Sequence, residues 1–173
     1  MTLINLEELA EFLVEAQKNT FAAGKEDSNT PEGSKISTFE KGNLRFCDIW
    51  DGSEFFQGKQ LVRYLDTNTA IWGVVYRGEE YDIGQDTVAM VAFLKRALMH
   101  PPIEMPVRGP AFYTDPEFPD FGYRNEWEGN LSRMRGTDGI FYNLSSKHQE
   151  PVFELIYVGG VLKKGVWPVL DMK

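Results

Sequence analysis

The sequence holds a single cysteine, Cys47, and only two histidines, His100 and His148. One thiol cannot form an intrachain disulfide, and such sparing use of cysteine fits a reducing compartment. With so few Cys and His residues, a zinc site of the usual Cys/His kind has too few ligands. A Gly-rich phosphate loop is missing as well. No run approaches the roughly 18 apolar residues of a membrane helix. The N-terminus, MTLINLEELAEF, has neither the basic start nor the unbroken apolar stretch of a secretory signal. Basic residues are outnumbered, 18 Lys and Arg against 26 Asp and Glu, for a formal charge of −8. The close basic pairs are Lys95-Arg96 and Lys163-Lys164, and no Lys/Arg stripe joins them. Nucleic acid and anionic membranes, which need clustered cations, are therefore not expected partners. These absences describe a soluble, cytoplasmic protein with no cofactor and no metal.

What is present is enough to build a core. The chain has 173 residues, 42% of them apolar and 25% charged. That suits one compact domain over residues 1–173. Asn5 to Phe21 reads as a helix, with Asn5 as its cap and Glu8 three residues on as in a capping box. Leu6, Leu9, Leu13 and Ala16 share one face; Glu7, Glu8, Glu11 and Glu15 form a solvated one. Asp86 to Met99 reads as a second helix, capped by Asp86 and stopped by Pro101-Pro102. Strands are predicted at Lys35–Glu40, Asn43–Trp50, Gln60–Leu65, Ala70–Arg77, Tyr123–Leu131, Gly139–Leu144 and Val152–Val158. Ala70 to Tyr76 is apolar on both faces, which predicts a central strand covered on each side. A short tail carries Trp167.

The two halves echo each other. Asp48-Ile49-Trp50-Asp51-Gly52 aligns with Asn125-Glu126-Trp127-Glu128-Gly129, 77 positions later. Gly58, Val62 and Tyr64 align with Gly136, Ile140 and Tyr142 at 78. Trp72, Val74, Tyr76 and Gly78 align with Phe153, Leu155, Tyr157 and Gly159 at 81, and Phe12-Leu13 with Phe93-Leu94 at the same offset. The expected architecture is α+β, with two tandem helix-plus-antiparallel-meander units, residues 1–83 and 84–173. This would be a pseudo-twofold αβββ repeat with helices packed on an antiparallel sheet. A ligand cleft is expected near the axis.

The acids Asp48, Asp51 and Glu54 invite a metal-loop reading, but their spacing does not match a calcium loop. Asp51-Gly52-Ser53 reads instead as a turn. Asp48 and Asn125 lie on the same strand face as Trp50 and Trp127, and each needs a polar partner if buried. Trp50 and Trp127 suit the core, and also a ligand wall. The long segment Val107 to Trp127 is rich in Pro and aromatics; long loops of this kind often carry function. In it, Arg108 lies between Pro106 and Pro110, where it could hold a carboxylate or phosphate bidentately or pair with one of the many local acids. Tyr113, Phe118 and Phe121 would close the segment over a core edge or over a pocket. The candidate ligand-binding residues are therefore Asp48, Trp50, Arg108, Tyr113, Asn125 and Trp127. No catalytic or metal-binding residue is assigned.

A set of motifs adds a resemblance: Phe12-Leu13 with Ala16 and Thr20-Phe21-Ala22; Phe46, Asp48, Trp50 and Gly52; Phe56, Gly58 and Val62; Trp72, Tyr76 and Gly78; Arg108-Gly109-Pro110; and Phe153, Leu155, Tyr157 and Gly159-Gly160. Over nearly the whole chain the sequence resembles the bacterial and archaeal "domain of unknown function 5680" family. That family's usual residues are Tyr where Phe21, Phe46 and Trp50 stand here, and Glu where Gln60 stands. The resemblance implies no activity. Some members carry the domain behind a helix-turn-helix segment, which would suit a sensor or regulator; this chain begins directly at its first helix. The expectation is a module binding a small molecule or a protein partner, with room for a homodimer. The alternatives are an enzyme using cleft carboxylates for acid/base chemistry and a protein interaction module.

Overall fold

The computed structural model describes residues 4–25, 28–143 and 149–163. His148, Lys164, Trp167 and the predicted strand end at Leu144 lie outside the described residues. The first helix, α1, spans Leu6–Lys18. Asn5 Oδ1 accepts from the Glu8 amide at 2.8 Å, and Glu8 Oε2 accepts from the Asn5 amide at 3.0 Å, completing the capping box. The helix stops three residues before Phe21, because the chain turns at Asn19 and closes a short 3-10 turn, Phe21–Ala23, ended by the left-handed Gly24. The second helix, α2, spans Thr87–Leu98, and Asp86 Oδ1 accepts from the Ala89 amide at 3.0 Å.

The strands are β1 (Ser28–Asn29), β2 (Lys35–Lys41), β3 (Leu44–Gly52), β4 (Phe55–Tyr64), β5 (Ala70–Glu80), β6 (Phe112–Tyr113), β7 (Gly122–Asn130), β8 (Arg133–Tyr142) and β9 (Glu150–Val161). They form one antiparallel α+β sheet in the order β1-β2-β3-β4-β5-β9-β8-β7-β6. Both long hairpins turn at a left-handed glycine, Gly52 with φ 93° and Gly129 with φ 88°. A side chain at Gly52 would also strike the Phe55 carbonyl at 2.0 Å. Two strands begin well ahead of the sequence pattern. β4 begins at Phe55 rather than Gln60, and β8 at Arg133 rather than Gly139. Their opening residues alternate between exposed and more buried positions and are paired along both ladders.

Both helices cover the same face of the sheet. Leu9, Phe12, Leu13, Phe93 and Leu94 pack there with Phe46, Val62, Trp72, Val74, Phe153 and Leu155. Trp72 is fully buried, and its indole N–H donates to the Leu131 carbonyl at 3.0 Å, which leaves no unpaired donor. The prediction that the central strand is covered on both sides needs correction. On the outer face Val75, Ile156 and Val158 are more than half exposed. Near Gly73 that face is closed sideways: the space a side chain would take there is filled by Leu61 and Leu162 from its neighbours. Among the described residues, no helix is long and apolar enough to cross a membrane.

Candidate functional site

Three strands bring a polar cluster onto the helix-covered face. Asp48 on β3 stands directly opposite Gln60 on β4, and Gly58 on β4 stands opposite Tyr76 on β5. Gly58 has to lack a side chain, because a Cβ there would lie 2.4 Å from the Tyr76 hydroxyl. The phenol therefore crosses over Gly58 and donates to Asp48 Oδ1 at 2.8 Å. Gln60 Nε2 donates to Asp48 Oδ2 at 3.2 Å, and Gln17 Nε2 on α1 donates to Gln60 Oε1 at 3.1 Å. Asp48 is only 6% exposed. Burial pushes its carboxyl up to about 6, against the pull of the Tyr76 and Gln60 hydrogen bonds and the Arg108 charge. Burial and the neighbouring Asp48 both raise the Tyr76 phenol above its ordinary value.

Arg108 enters from the loop between α2 and β6. That loop is pinned at Gly109, whose amide donates to the Tyr123 hydroxyl at 2.9 Å and whose carbonyl accepts from Asn125 Nδ2 at 2.7 Å. Gly109 can sit this close because a Cβ there would be 2.7 Å from the Tyr123 ring. The Tyr123 hydroxyl donates to Asp138 Oδ2 at 2.7 Å, and Arg108 Nε donates to the same oxygen at 2.9 Å. Burial opposes the Arg108 charge, but Asp138 and the nearby tyrosine oxygens outweigh it and hold the guanidinium above its ordinary value. Burial likewise raises Asp138, against Arg108. A guanidinium keeps its proton in proteins, so Arg108 stands as a cation beside Asp138. Asp138 Oδ1 is buried with no hydrogen-bond partner. Among the described residues, neither terminal nitrogen of Arg108 has an acceptor, although the side chain is only 11% exposed.

Arg108 reaches the cavity that the Asp48 cluster lines, a space of about 370 Å³. Its walls include Phe21, Trp50, Phe56, Leu94, Leu98, Phe153 and Leu155, and Asp48, Gln60, Tyr76 and Arg108 supply polar groups. Trp50 meets Phe21 edge-on at 6.0 Å, and Phe56 stacks on Phe153 at 5.7 Å. Lys35, Glu54, Glu80 and Lys95 contribute further charges to the lining. Lys95 Nζ lies 5.1 Å above the Phe21 ring. Burial, and then Glu54, raise the Glu80 carboxyl.

Of the six residues singled out from the sequence, Asp48, Trp50 and Arg108 meet in this cavity. Asn125 stands behind it, holding the Arg108 loop and accepting from the Tyr157 hydroxyl at 3.0 Å. Tyr113 is not brought to the cavity. Its ring packs on Phe93 at 5.7 Å and His100 at 5.2 Å, and its hydroxyl donates to Asp115 at 3.1 Å. With Phe118 and Phe121, also against Phe93, it closes a core edge. Trp127 is partly buried opposite Gly136, on a separate shallow groove with Glu126, Glu128 and Arg135. Arg108 does pair with an acid, but not a local one. Asp115 and Glu117 go to Arg96, and Arg108 takes Asp138 from the far strand β8.

Sequence reasoning passed over Gln60, Tyr76, Tyr123 and Asp138. A signal existed for two of them. Gln60 and Asp138 each follow a motif glycine, Gly58 or Gly136, by two positions and precede an apolar motif residue, Val62 or Ile140, by two. Alternation therefore puts both on the core face as buried polar side chains. Among the described residues, no cluster of His, Cys, Asp or Glu could hold a metal ion.

Comparison with known families gives one result. A model of the family described as "Domain of unknown function (DUF5680)" matches residues 48–162, which takes in Asp48, Gln60, Tyr76, Arg108 and Asp138. No curated protein and no solved structure matches the chain.

Proposed function

The chain belongs to the DUF5680 family, whose description names no activity, and from the cavity we propose a small-molecule-binding or regulatory module that anchors an anionic group of its ligand on Arg108. The observation that carries this reading is the Arg108 guanidinium. It is nearly buried, fixed through Nε alone, and part of the wall of an aromatic cavity, and its terminal nitrogens have no acceptor among the described residues. Those terminal nitrogens are not sealed in the interior, so they are free to take an anion from the cavity in a charge-assisted pair. A cavity of this size lies within the range of about 300–1,000 Å³ usual for small-molecule sites. The cavity also counts against a purely structural or interaction role.

A thermal-shift screen of metabolites, nucleotides and divalent metals tests the proposal. A ligand at a hundred times its Kd should stabilise the protein by about 2.7 kcal/mol. That response should vanish in Arg108→Met. Absence of a shift with every class would end this reading.

A second reading is acid/base catalysis by Asp48. It is favoured by a carboxyl raised to about 6 beside a Tyr76 hydroxyl at 2.8 Å. It requires turnover of a bound ligand that Asp48→Asn abolishes without weakening binding.

We read the single domain, residues 1–173, as two copies of one helix-plus-meander unit. The register supports this: Tyr76 pairs with Tyr157, Trp72 with Val161 and Glu80 with Phe153, the pattern a twofold between β5 and β9 requires. The hydroxyls of Tyr76 and Tyr157 go to Asp48 and Asn125, which are aligned in the repeat. One free thiol and the acidic balance support a cytoplasmic location.

A further inference from the structure

The chemistry of the cavity narrows the ligand further; the argument rests on the binding reading above. The two free nitrogens of Arg108 form a flat fork, and two parallel N–H groups match the two oxygens of a carboxylate. The remaining wall offers rings and aliphatic groups, Phe21, Trp50, Phe56, Phe153, Leu94 and Leu98, for an apolar body.

Charge decides between a monoanion and a dianion. The Arg108 charge is already met by Asp138 at 2.9 Å, and Asp48 stands in the same cavity. A phosphate dianion on Arg108 would add two negative charges beside Asp138 and Asp48, and Arg108 is the cation whose charge acts on Asp48. Even one carboxylate cannot comfortably share that space with an ionised Asp48, since like charges at low dielectric drive one group to take a proton. We propose that the cavity binds a small apolar monocarboxylic acid, its carboxylate on the terminal nitrogens of Arg108, with uptake of one proton from solvent by Asp48.

The groups facing Asp48 allow this. From β2 comes Lys35, from the β3–β4 turn Glu54, from β5 Tyr76 and Glu80, from α2 Lys95, and from the loop after it Arg108. Gln17, the α1 contribution beside them, is neutral. Lys95 lies over the Phe21 ring, and Glu54 lies near enough to raise Glu80. Arg108 is thus the cation whose field reaches Asp48. Once that field is shared with a ligand anion, Asp48 holds its proton more tightly, and its O–H becomes a donor to the ligand.

Calorimetric titration of the full chain tests this with straight-chain acids from butyrate to decanoate, 3-phenylpropionate, 3-phenylpropionamide and phenylalanine. Runs at several pH values use two buffers of different ionisation enthalpy. The expected result is that at least one acid binds, the amide does not, and about one proton is taken up per ligand at pH 7.5. Above the titration of Asp48, affinity should fall about tenfold per pH unit. Asp48→Asn should flatten that dependence and bind more tightly than wild type at pH 7.5. Arg108→Met should lose the acid; should it fail to fold, the proton count on wild type still decides. Binding that is independent of pH, or that takes up no proton, overturns the proposal. So does phenylalanine binding more tightly than 3-phenylpropionate, which would make Asp48 an ammonium anchor. If only the amide binds, the monocarboxylate proposal fails and the small-molecule reading survives. If no probe binds and the metabolite screen is also silent, both fail.

Discussion

Tyr76 and Tyr157 face each other as direct partners across β5 and β9, and their hydroxyls go to different acceptors, Asp48 Oδ1 and Asn125 Oδ1. Each ring lies above a glycine, Gly58 or Gly136, where a Cβ would come within 2.4 Å and 2.3 Å of the hydroxyl. Backbone carbonyls stand nearly as close, Ile49 at 2.6 Å from the first Cβ and Glu126 at 2.6 Å from the second. Gly58→Ala and Gly136→Ala should therefore each destabilise the protein by about 1–3 kcal/mol, the usual cost of overpacking. Denaturant midpoints measure this. A neutral result for both would mean the rings move aside freely.

Asp48 makes stability depend on pH in a definite direction. Its carboxyl lies at about 6 in the folded chain, against an ordinary 3.8. A raised acid contributes most below its unfolded value, and the contribution is lost as pH rises through about 6. Two pH units correspond to about 3 kcal/mol. The stability of Asp48→Asn minus that of wild type should thus grow by up to about 3 kcal/mol between pH 4 and pH 7. Urea titrations of both proteins across that range give the difference directly, and a difference that stays constant with pH would contradict the assignment.

Arg108 and Asp138 should not tolerate loss of either partner. Asp138→Asn leaves a buried cation without its counter-ion, and Arg108→Met leaves a buried carboxylate alone. Either should cost about 3–5 kcal/mol. Arg108→Lys keeps the charge but not the fork, so it should recover some stability and little ligand affinity. Equal recovery of both would show that a point charge suffices.

Asn125 is predicted to act on the loop rather than on a ligand. Asn125→Ala removes the 2.7 Å bond to the Gly109 carbonyl and the acceptor of the Tyr157 hydroxyl. Amide hydrogen exchange across residues 106–111 should quicken by at least about tenfold, while β3 and β4 stay protected. Unchanged exchange in that loop would assign its order to the remaining ties, Tyr123, the Arg108–Asp138 pair and the Asn125 amide bond to the Ala111 carbonyl.

How much of this was readable beforehand follows from the range of each interaction. The helix caps at Asn5 and Asp86 and the turns at Gly52 and Gly129 depend on residues within four positions, so local chemistry sufficed. Half of the candidate site was likewise legible, since Asp48 and Arg108 are polar groups in conspicuous places. What escaped was their partners. Asp138 lies 30 positions from Arg108, and Tyr76 lies 28 from Asp48. Strand pairing creates those neighbours, and polarity patterns in single segments do not specify pairing. The unread first halves of β4 and β8 compounded the gap, because once β8 is extended to Arg133, alternation alone turns Asp138 inward.

The cavity draws Asp48, Gln60 and Tyr76 from one part of the chain and Arg108, Phe153 and Leu155 from the other, across the β5–β9 contact. Neither stretch by itself owns a complete set of walls. If the chain were cut between residues 83 and 84 and the pieces produced separately, each would be blind to the ligand. Recognition would return only on reassembly, so ligand occupancy would report fragment complementation.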